Sequence, residues 1–290
     1  MAIMTAMDKE PPYTNILFFI SSVIRKCNLI TAYILKFYHI DLISERLYNK
    51  TMELLFEGKI SAKAILENQK RDVFQVIMEQ GKRNKDFGYI YSLAQQKNIP
   101  VSYQSRDEIQ AMAHSSTHGG LLIKAGAQYH KALPDHKMPG FLCHIDGIED
   151  PYNLGSICRS LYAAGCNGLI LMERDWSKAE PVILKASAGA FEHLPLYWIQ
   201  KEMDLTKYLK QQKIPLVMAH RKDAVSLYDY TFPADFCLAL GGALRGISAQ
   251  LAKHSTQNIF LEYGRECRYA LDTASTVSAF GFEIVRQRRK

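Results

Sequence analysis

The second half of the chain alternates short apolar runs with segments whose apolar residues recur at helical spacing. The apolar runs predict buried strands at 140–146, 168–172, 195–199, 214–219, 236–240 and 258–261. Helical spacing predicts helices at 157–164, 181–188, 205–211 and 276–288. This alternation predicts an α/β fold with a largely parallel sheet and helices on both faces. Ligands of such sheets bind beyond the carboxyl ends of the strands.

The preceding segment repeats the pattern on a smaller scale. Strands are predicted at 73–78, 101–103 and 120–124, and helices at 62–67, 89–97 and 106–113. Histidines and prolines break the periodicity after residue 130. We therefore expect a small α/β domain at 52–130, a linker at 131–139 and a second domain at 140–290.

Residues 1–51 form an extension of uncertain role. Two apolar stretches, 16–24 and 29–38, are separated by Arg25, Lys26 and Asn28. Neither reaches the roughly 20 apolar residues that a membrane-spanning helix needs. The sequence predicts no membrane anchor here, and leaves open a helical extension that packs on a partner subunit or upstream sequence included by a misplaced start codon.

Composition narrows the class of partner. Lys and Arg total 36 against 29 Asp and Glu, which gives a net charge of +7 and favours a polyanionic partner. The six cysteines show no Cys-x-x-Cys spacing, so we expect reduced core residues of a cytoplasmic protein. His118 and His144 have no second ligand at metal spacing, and no metal is predicted.

The segment from Pro151 to Arg159 carries the most informative polar residues. It reads as a polar turn between a strand and a helix, in which Gly155 permits close backbone approach and free N–H groups favour a phosphate or ribose. The alternative is an ordinary strand-to-helix connection, with Asn153 a turn residue and Arg159 a solvated helix residue.

Four motifs in order resolve this choice. They are Asn153-x-Gly-Ser-Ile-x-Arg159, Lys185-Ala-Ser-Ala-Gly-Ala190 with Leu194-Pro-Leu196, Leu238 to Ile247, and Leu271 to Ser275. Together they resemble the motifs of the SpoU/TrmH family of RNA ribose 2′-O-methyltransferases, part of the SPOUT class. The resemblance covers roughly residues 139–288, and 52–130 resembles the ribosomal-protein-like substrate-binding domain of many relatives.

The resemblance implies a cofactor, a partner and an assembly. It implies a SPOUT domain with a C-terminal trefoil knot, and RNA (rRNA or tRNA) as substrate. It also implies a homodimer. Residues 161–164 and the apolar face of the last helix around Val277, Phe280 and Ile284 would supply the dimer interface. Basic residues of the first domain would face RNA, namely Lys59, Lys63, Lys70, Arg71, Lys82, Arg83 and Lys85. S-adenosylmethionine would bind at Ala219, Leu240, Gly241, Gly242, Gly246, Ile247, Phe260, Leu261, Leu271 and Thr273.

The catalytic residues follow by matching position. Arg159 would orient the ribose and phosphate and, in the family's proposed mechanism, assist removal of the hydroxyl proton, while Asn153 would fix the loop or the ribose. The chain departs from the family at Gly242-Ala243, where asparagine and glutamate are usual, and at Asp272, where asparagine is usual. Either Asp272 replaces the missing carboxylate, or the chain is a non-catalytic RNA-binding or ribosome-associated protein on the same scaffold.

Overall fold

The computed structural model describes residues 52–242 and 246–289. The predictions for the extension at 1–51 and for Ala243 lie outside these residues. Within the part of the chain that the structure describes, none of the helices has the length and apolar character that a membrane crossing requires.

The first part of the described chain is built on a four-stranded sheet. Its elements are β1 (Leu54–Glu57), α1 (Gly58–Asn68), β2 (Val73–Glu79), α2 (Lys85–Gln96), β3 (Val101–Gln104), α3 (Arg106–Met112) and β4 (Leu121–Ala125). The strand order is β1-β4-β2-β3, with β2 and β3 parallel and the other pairs antiparallel. All predicted elements are present. The strand β1 was not predicted; the sequence indicates a turn at 57–59, whereas β1 ends at Glu57 and α1 begins directly at Gly58.

The second part is built on a seven-stranded sheet in which every pair of neighbours is parallel. The strand order is β7-β6-β5-β10-β8-β11-β9. The elements are β5 (Phe141–Asp146), α4 (Pro151–Ala163), β6 (Gly168–Met172), α5 (Glu180–Ala186), α6 (Ala190–His193), β7 (Leu196–Ile199), α7 (Glu202–Gln211), β8 (Leu216–Ala219), β9 (Ala224–Ser226), β10 (Phe236–Gly241), α8 (Ala249–Ala252), β11 (Gln257–Phe260) and α9 (Thr273–Arg288). The predicted α/β class and parallel sheet are confirmed; the knot stays a prediction.

Alternate residues of the central strands pack into two cores, one on each face of this sheet. On β5, Cys143 and Ile145 join the core beneath α4 and α9, whereas Leu142 joins the core beneath α7. Helices α4 and α9 also contact each other, and the hydroxyl oxygens of Ser160 and Ser278 lie 2.8 Å apart. A period of two along a strand is what places successive residues on opposite faces.

The packing of α4 on α9 corrects the predicted dimer interface. Leu161, Val277, Phe280 and Ile284 are at most 1% exposed, and Ala164 is also buried. These side chains form the core of one protomer, so they do not supply a surface for a second. The prediction is therefore wrong for these five buried side chains, because an apolar stripe indicates burial without indicating which neighbour covers it. Tyr162 and Ala163 of the predicted segment are exposed, and their part of the interface stays a prediction.

A buried charge cluster joins the two parts of the described chain. Arg71, which follows α1, is fully buried and pairs with Glu180 and Glu192 of the second part. Burial would lower the pKa of Arg71, but the two carboxylates outweigh it and raise that pKa. The predicted RNA-facing role of Arg71 is therefore wrong. Lys70 is also half-buried and donates to the Leu194 carbonyl (2.8 Å).

The cysteines are free where the structure describes them. The prediction of core cysteines is confirmed for the four buried ones and wrong for Cys267, which is exposed; Cys27 lies outside the described residues. Burial raises the pKa of the Cys166 thiol to about 12, and the buried thiols are therefore held in the unreactive, protonated form. The four buried cysteines are Cys143, Cys158, Cys166 and Cys237.

Candidate functional site

A cavity of about 1000 Å³ lies beyond the carboxyl ends of β8, β10 and β11 and beside the start of α9. All ten residues predicted to bind the cofactor line it: Ala219, Leu240, Gly241, Gly242, Gly246, Ile247, Phe260, Leu261, Leu271 and Thr273. The parallel sheet produces this convergence, since the loops that follow neighbouring parallel strands meet at one edge. Their role in binding stays a prediction.

Two glycines of the cavity lie where another backbone segment leaves no room for a side chain. A Cβ on Gly241 would come closer than 3.0 Å to the backbone of Gly246, and one on Gly242 would come closer than 3.0 Å to the carbonyl of Gly147. Close approach of two protein segments is therefore a reason for glycine at each of these positions. A bulky residue at position 242 would displace the loop after β5.

Asp146, the last residue of β5, binds backbone groups at Gly242, directly after β10, and at Ser248, directly before α8. Its carbonyl accepts a hydrogen bond from the Gly242 N–H (2.5 Å), and its carboxylate accepts one from the Ser248 N–H (2.8 Å). The Ser248 hydroxyl in turn donates to Glu202 (2.6 Å). These bonds fix the backbone at the end of β10 and at the start of α8.

Asp272 lies on the cavity wall as the N-cap of α9. Its carboxylate accepts hydrogen bonds from the Ser275 N–H (2.9 Å) and the Ser275 hydroxyl (2.6 Å). The hydroxyl and backbone bonds from Ser275 lower the pKa of Asp272, so it is ionised at neutral pH. Asp272 is also the single carboxylate among the described residues that line the cavity.

Helix α4 begins earlier than predicted and changes the reading of the segment from Pro151 to Arg159. Asp150 is its N-cap and accepts a hydrogen bond from the Asn153 N–H (2.7 Å), and Pro151 takes the first helical position. Asn153 and Gly155 therefore lie in the helix, and the predicted turn is wrong. Gly155 serves helix packing, because a Cβ there would come closer than 3.0 Å to Ala186 of α5.

The catalytic candidates on α4 do not line the cavity. Asn153 is half-buried, and Arg159 is exposed and makes no ion pair with the rest of the described chain. The close approach of Gly242 to Gly147 nevertheless places the segment that precedes α4 beside the lining of the cavity. The structure thus joins Asp272 to the ten cavity residues and leaves Asn153 and Arg159 on a neighbouring surface.

Several cavity residues were missed in the sequence. Arg221 and Lys222 follow β8, and Tyr263 follows β11. A pair of cations directly after a buried strand is a weak signal, and only the strand order shows that these two loops are neighbours. Among residues 52–242 and 246–289, no group of three or more His, Cys, Asp and Glu side chains is placed to hold a metal ion.

Two family models match the chain. Residues 141–268 match the SpoU rRNA Methylase family, and residues 55–129 match the model for RNA 2′-O ribose methyltransferase substrate binding. The matches occur in the order that the two sheets have in the structure. Residues 141–268 are a domain of the SpoU rRNA Methylase family.

Curated relatives match most of the length of this chain. The 23S rRNA (guanosine-2′-O-)-methyltransferase RlmB of Salmonella typhimurium is 24% identical over 244 residues, which are 82% of this chain and 100% of that protein. The protein of the same name from Shewanella oneidensis is 23% identical over 248 residues, 83% of this chain and 99% of that one.

Solved structures share the fold of this chain. An AdoMet-bound rRNA methyltransferase from Sinorhizobium meliloti superposes with a TM-score of 0.70 at 18% identity, and covers 85% of this chain and 92% of its own. The SpoU methyltransferase AviRb from Streptomyces viridochromogenes gives 0.69 at 18% identity, with 83% and 92% covered. At these identities the likeness shows the fold alone.

Proposed function

We propose that this chain transfers a methyl group from S-adenosylmethionine to a ribose 2′-hydroxyl of RNA. The observation that carries the proposal is the convergence of all ten predicted cofactor residues on one cavity, in a chain with a domain of the SpoU rRNA Methylase family. Residues 52–130 would bind RNA and residues 140–290 would transfer the methyl group, joined by the linker at 131–139. The names of the relatives favour ribosomal RNA over transfer RNA.

The cavity fits an adenosyl donor in size and chemistry. Its volume of about 1000 Å³ is at the upper end of the range for small-molecule sites. Leu240, Ile247, Phe260 and Leu261 supply apolar walls for a nucleobase, and the strand ends supply backbone N–H and C=O groups. S-adenosylmethionine, when bound, supplies a methyl group on a positively charged sulfur.

Arg159 would orient the acceptor. Its guanidinium is exposed and free of acidic partners among the described residues, so its donors are available to a phosphate or a ribose oxygen. A guanidinium stays protonated in proteins, which makes it a poor proton acceptor. Arg159 therefore acts through position, and most of the rate gain would come from aligning the hydroxyl with the methyl group.

Asp272 would contribute a fixed negative charge rather than a base. Because Ser275 lowers the pKa of this carboxylate, Asp272 is a weaker proton acceptor than an ordinary aspartate. The hydroxyl proton would then pass to solvent as the new C–O bond forms and the C–S bond breaks. Asp272 would then supply the negative charge of the carboxylate that the family usually carries, and would not accept the proton.

The proposal includes a homodimer that works in the cytoplasm. The exposed residues of α4 and α9 include three large aromatic ones, Tyr152 (65%), Tyr162 (50%) and Phe282 (52%). Exposed aromatic side chains on adjacent helices favour association with a second copy. Sedimentation at micromolar concentration should report a dimer, and a monomer that still methylates RNA would contradict it.

Two measurements on the purified chain test the proposed activity. Calorimetry should show that S-adenosylmethionine binds, and incubation with ribosomal RNA and methyl-labelled donor should place label on ribose 2′-oxygens. Binding of RNA without binding of the donor would favour the non-catalytic alternative. Label on a base instead of a ribose would refute the reaction while leaving the cavity assignment in place.

A further inference from the structure

Two cations border the cofactor cavity without acidic partners. Arg221 and Lys222 follow β8 and line the cavity, and both side chains are exposed. Neither forms an ion pair with a carboxylate of the described residues. Cations in a small-molecule site usually bind an anionic group of the ligand.

The backbone that carries Arg221 is fixed. The His220 N–H donates to the Ile259 carbonyl (3.0 Å), and the Lys222 N–H donates to the His220 ring (3.1 Å). The side chain of Asn258 also donates to the Lys222 carbonyl (2.9 Å). The turn that follows β8 is thus hydrogen-bonded to β11 on both sides of Arg221.

The guanidinium of Arg221 is held at the cavity wall by an aromatic ring. It lies 5.1 Å from the centre of the Tyr263 ring, within the range of a cation–π contact. The Tyr263 hydroxyl accepts a hydrogen bond from the Leu271 N–H (3.1 Å), which places this ring beside Asp272. One wall of the cavity therefore carries a positive guanidinium and a negative carboxylate on linked segments.

We propose that Arg221 binds the α-carboxylate of the donor's amino-acid end, an inference that rests on the proposed function. That end of S-adenosylmethionine is a zwitterion, and it matches a wall on which Arg221 and Asp272 carry opposite charges. A guanidinium binds a carboxylate through two parallel N–H donors. A polyanion such as the RNA backbone matches this wall less well, because the Asp272 charge repels it.

Ligands with and without the amino-acid end test the proposal. S-adenosylhomocysteine and 5′-methylthioadenosine share the adenosine and the thioether, and only the former has the carboxylate. Calorimetry should show that Arg221→Gln weakens S-adenosylhomocysteine about tenfold, equivalent to ~1.4 kcal/mol, and leaves methylthioadenosine unchanged. Arg265→Gln is the matched control, since Arg265 is exposed and does not line the cavity.

The remaining outcomes separate the explanations. Equal weakening of both ligands by Arg221→Gln would overturn the proposal by showing a change in the cavity wall. Unchanged binding of both ligands with weaker binding of a ribosomal RNA transcript would overturn it in favour of a phosphate contact. If the wild-type chain binds neither ligand, the proposed cofactor site fails first, and this inference with it.

Discussion

Removal of the buried arginine at the junction of the two sheets should destabilise the protein strongly. Arg71 donates to Glu192 (2.8 Å from Nε), to Glu180 (2.5 Å) and to the Gly126 carbonyl (2.9 Å). One oxygen of Glu192 already has no hydrogen-bond partner. Arg71→Met would leave two carboxylates buried without a counter-charge, and loss of one partner from such a cluster costs about 3–5 kcal/mol.

The stability that Arg71→Met loses relative to the wild-type chain should become smaller as the pH falls. Burial raises the pKa of Glu180 even though the Arg71 charge opposes it. Without the opposing charge of Arg71, the pKa of the Glu180 carboxyl in the folded chain would rise further above its unfolded value. A carboxyl group with a raised folded pKa stabilises the folded state below its unfolded pKa, and this contribution is lost as the pH rises. The deficit of Arg71→Met should therefore shrink between pH 7 and pH 4.

Urea denaturation at several pH values measures this deficit. A loss of this size is a large part of the stability of a typical domain. A second variant that keeps its fold is therefore measured beside Arg71→Met. The combination of Arg71→Met with Glu180→Gln and Glu192→Met removes all three charges and should recover most of the loss. A cost under about 1 kcal/mol for Arg71→Met at pH 7, or a deficit that grows on acidification, would refute the burial of this cluster.

Three further substitutions test the site. Arg159→Ala should lower turnover about a hundredfold or more and leave donor affinity nearly unchanged, and an equal loss in both would show that Arg159 binds the donor. Asp272→Ala should lower the free energy of unfolding by about 1 kcal/mol, because the N-cap of α9 is lost. Asp272→Asn should keep the N-cap and lose turnover. Full activity of Asp272→Asn would show that no charge is needed there. Gly242→Ala should lower the melting temperature and weaken donor binding because of the Gly147 carbonyl, whereas Gly264→Ala, which meets no atom within 4 Å, should change neither.

Most strands and helices were predictable because the strands are short, apolar and bounded by polar residues, whereas the short elements β1, β9, α6 and α8 were not predicted. Ten residues spread from Ala219 to Thr273 could be assigned to one cavity because the family resemblance indicated their loops. Parallel strands bring their following loops to one edge, so residues distant in sequence meet whenever the topology is right. The motif residues then indicated which edge to choose.

Contacts between distant segments could not be predicted. Arg71 stands in a run of charged residues that reads as surface, and its partners follow 109 and 121 residues later. The glycine at position 155 resembled a ligand-binding turn, and only the approach of α5 shows that it serves packing. Local pattern describes what a segment can bury, and it does not describe the neighbour that buries it.

Mapping of 2′-O-methylation tests the central claim most directly. Ribosomal and transfer RNA from cells with the gene, without it, and with Arg159→Ala in its place should be compared at nucleotide resolution. We expect one or a few ribose methyl groups to vanish without the gene, to return with the wild-type chain and to stay absent with Arg159→Ala. Identical methylation maps in all three strains would contradict the assignment of this chain as an RNA ribose methyltransferase.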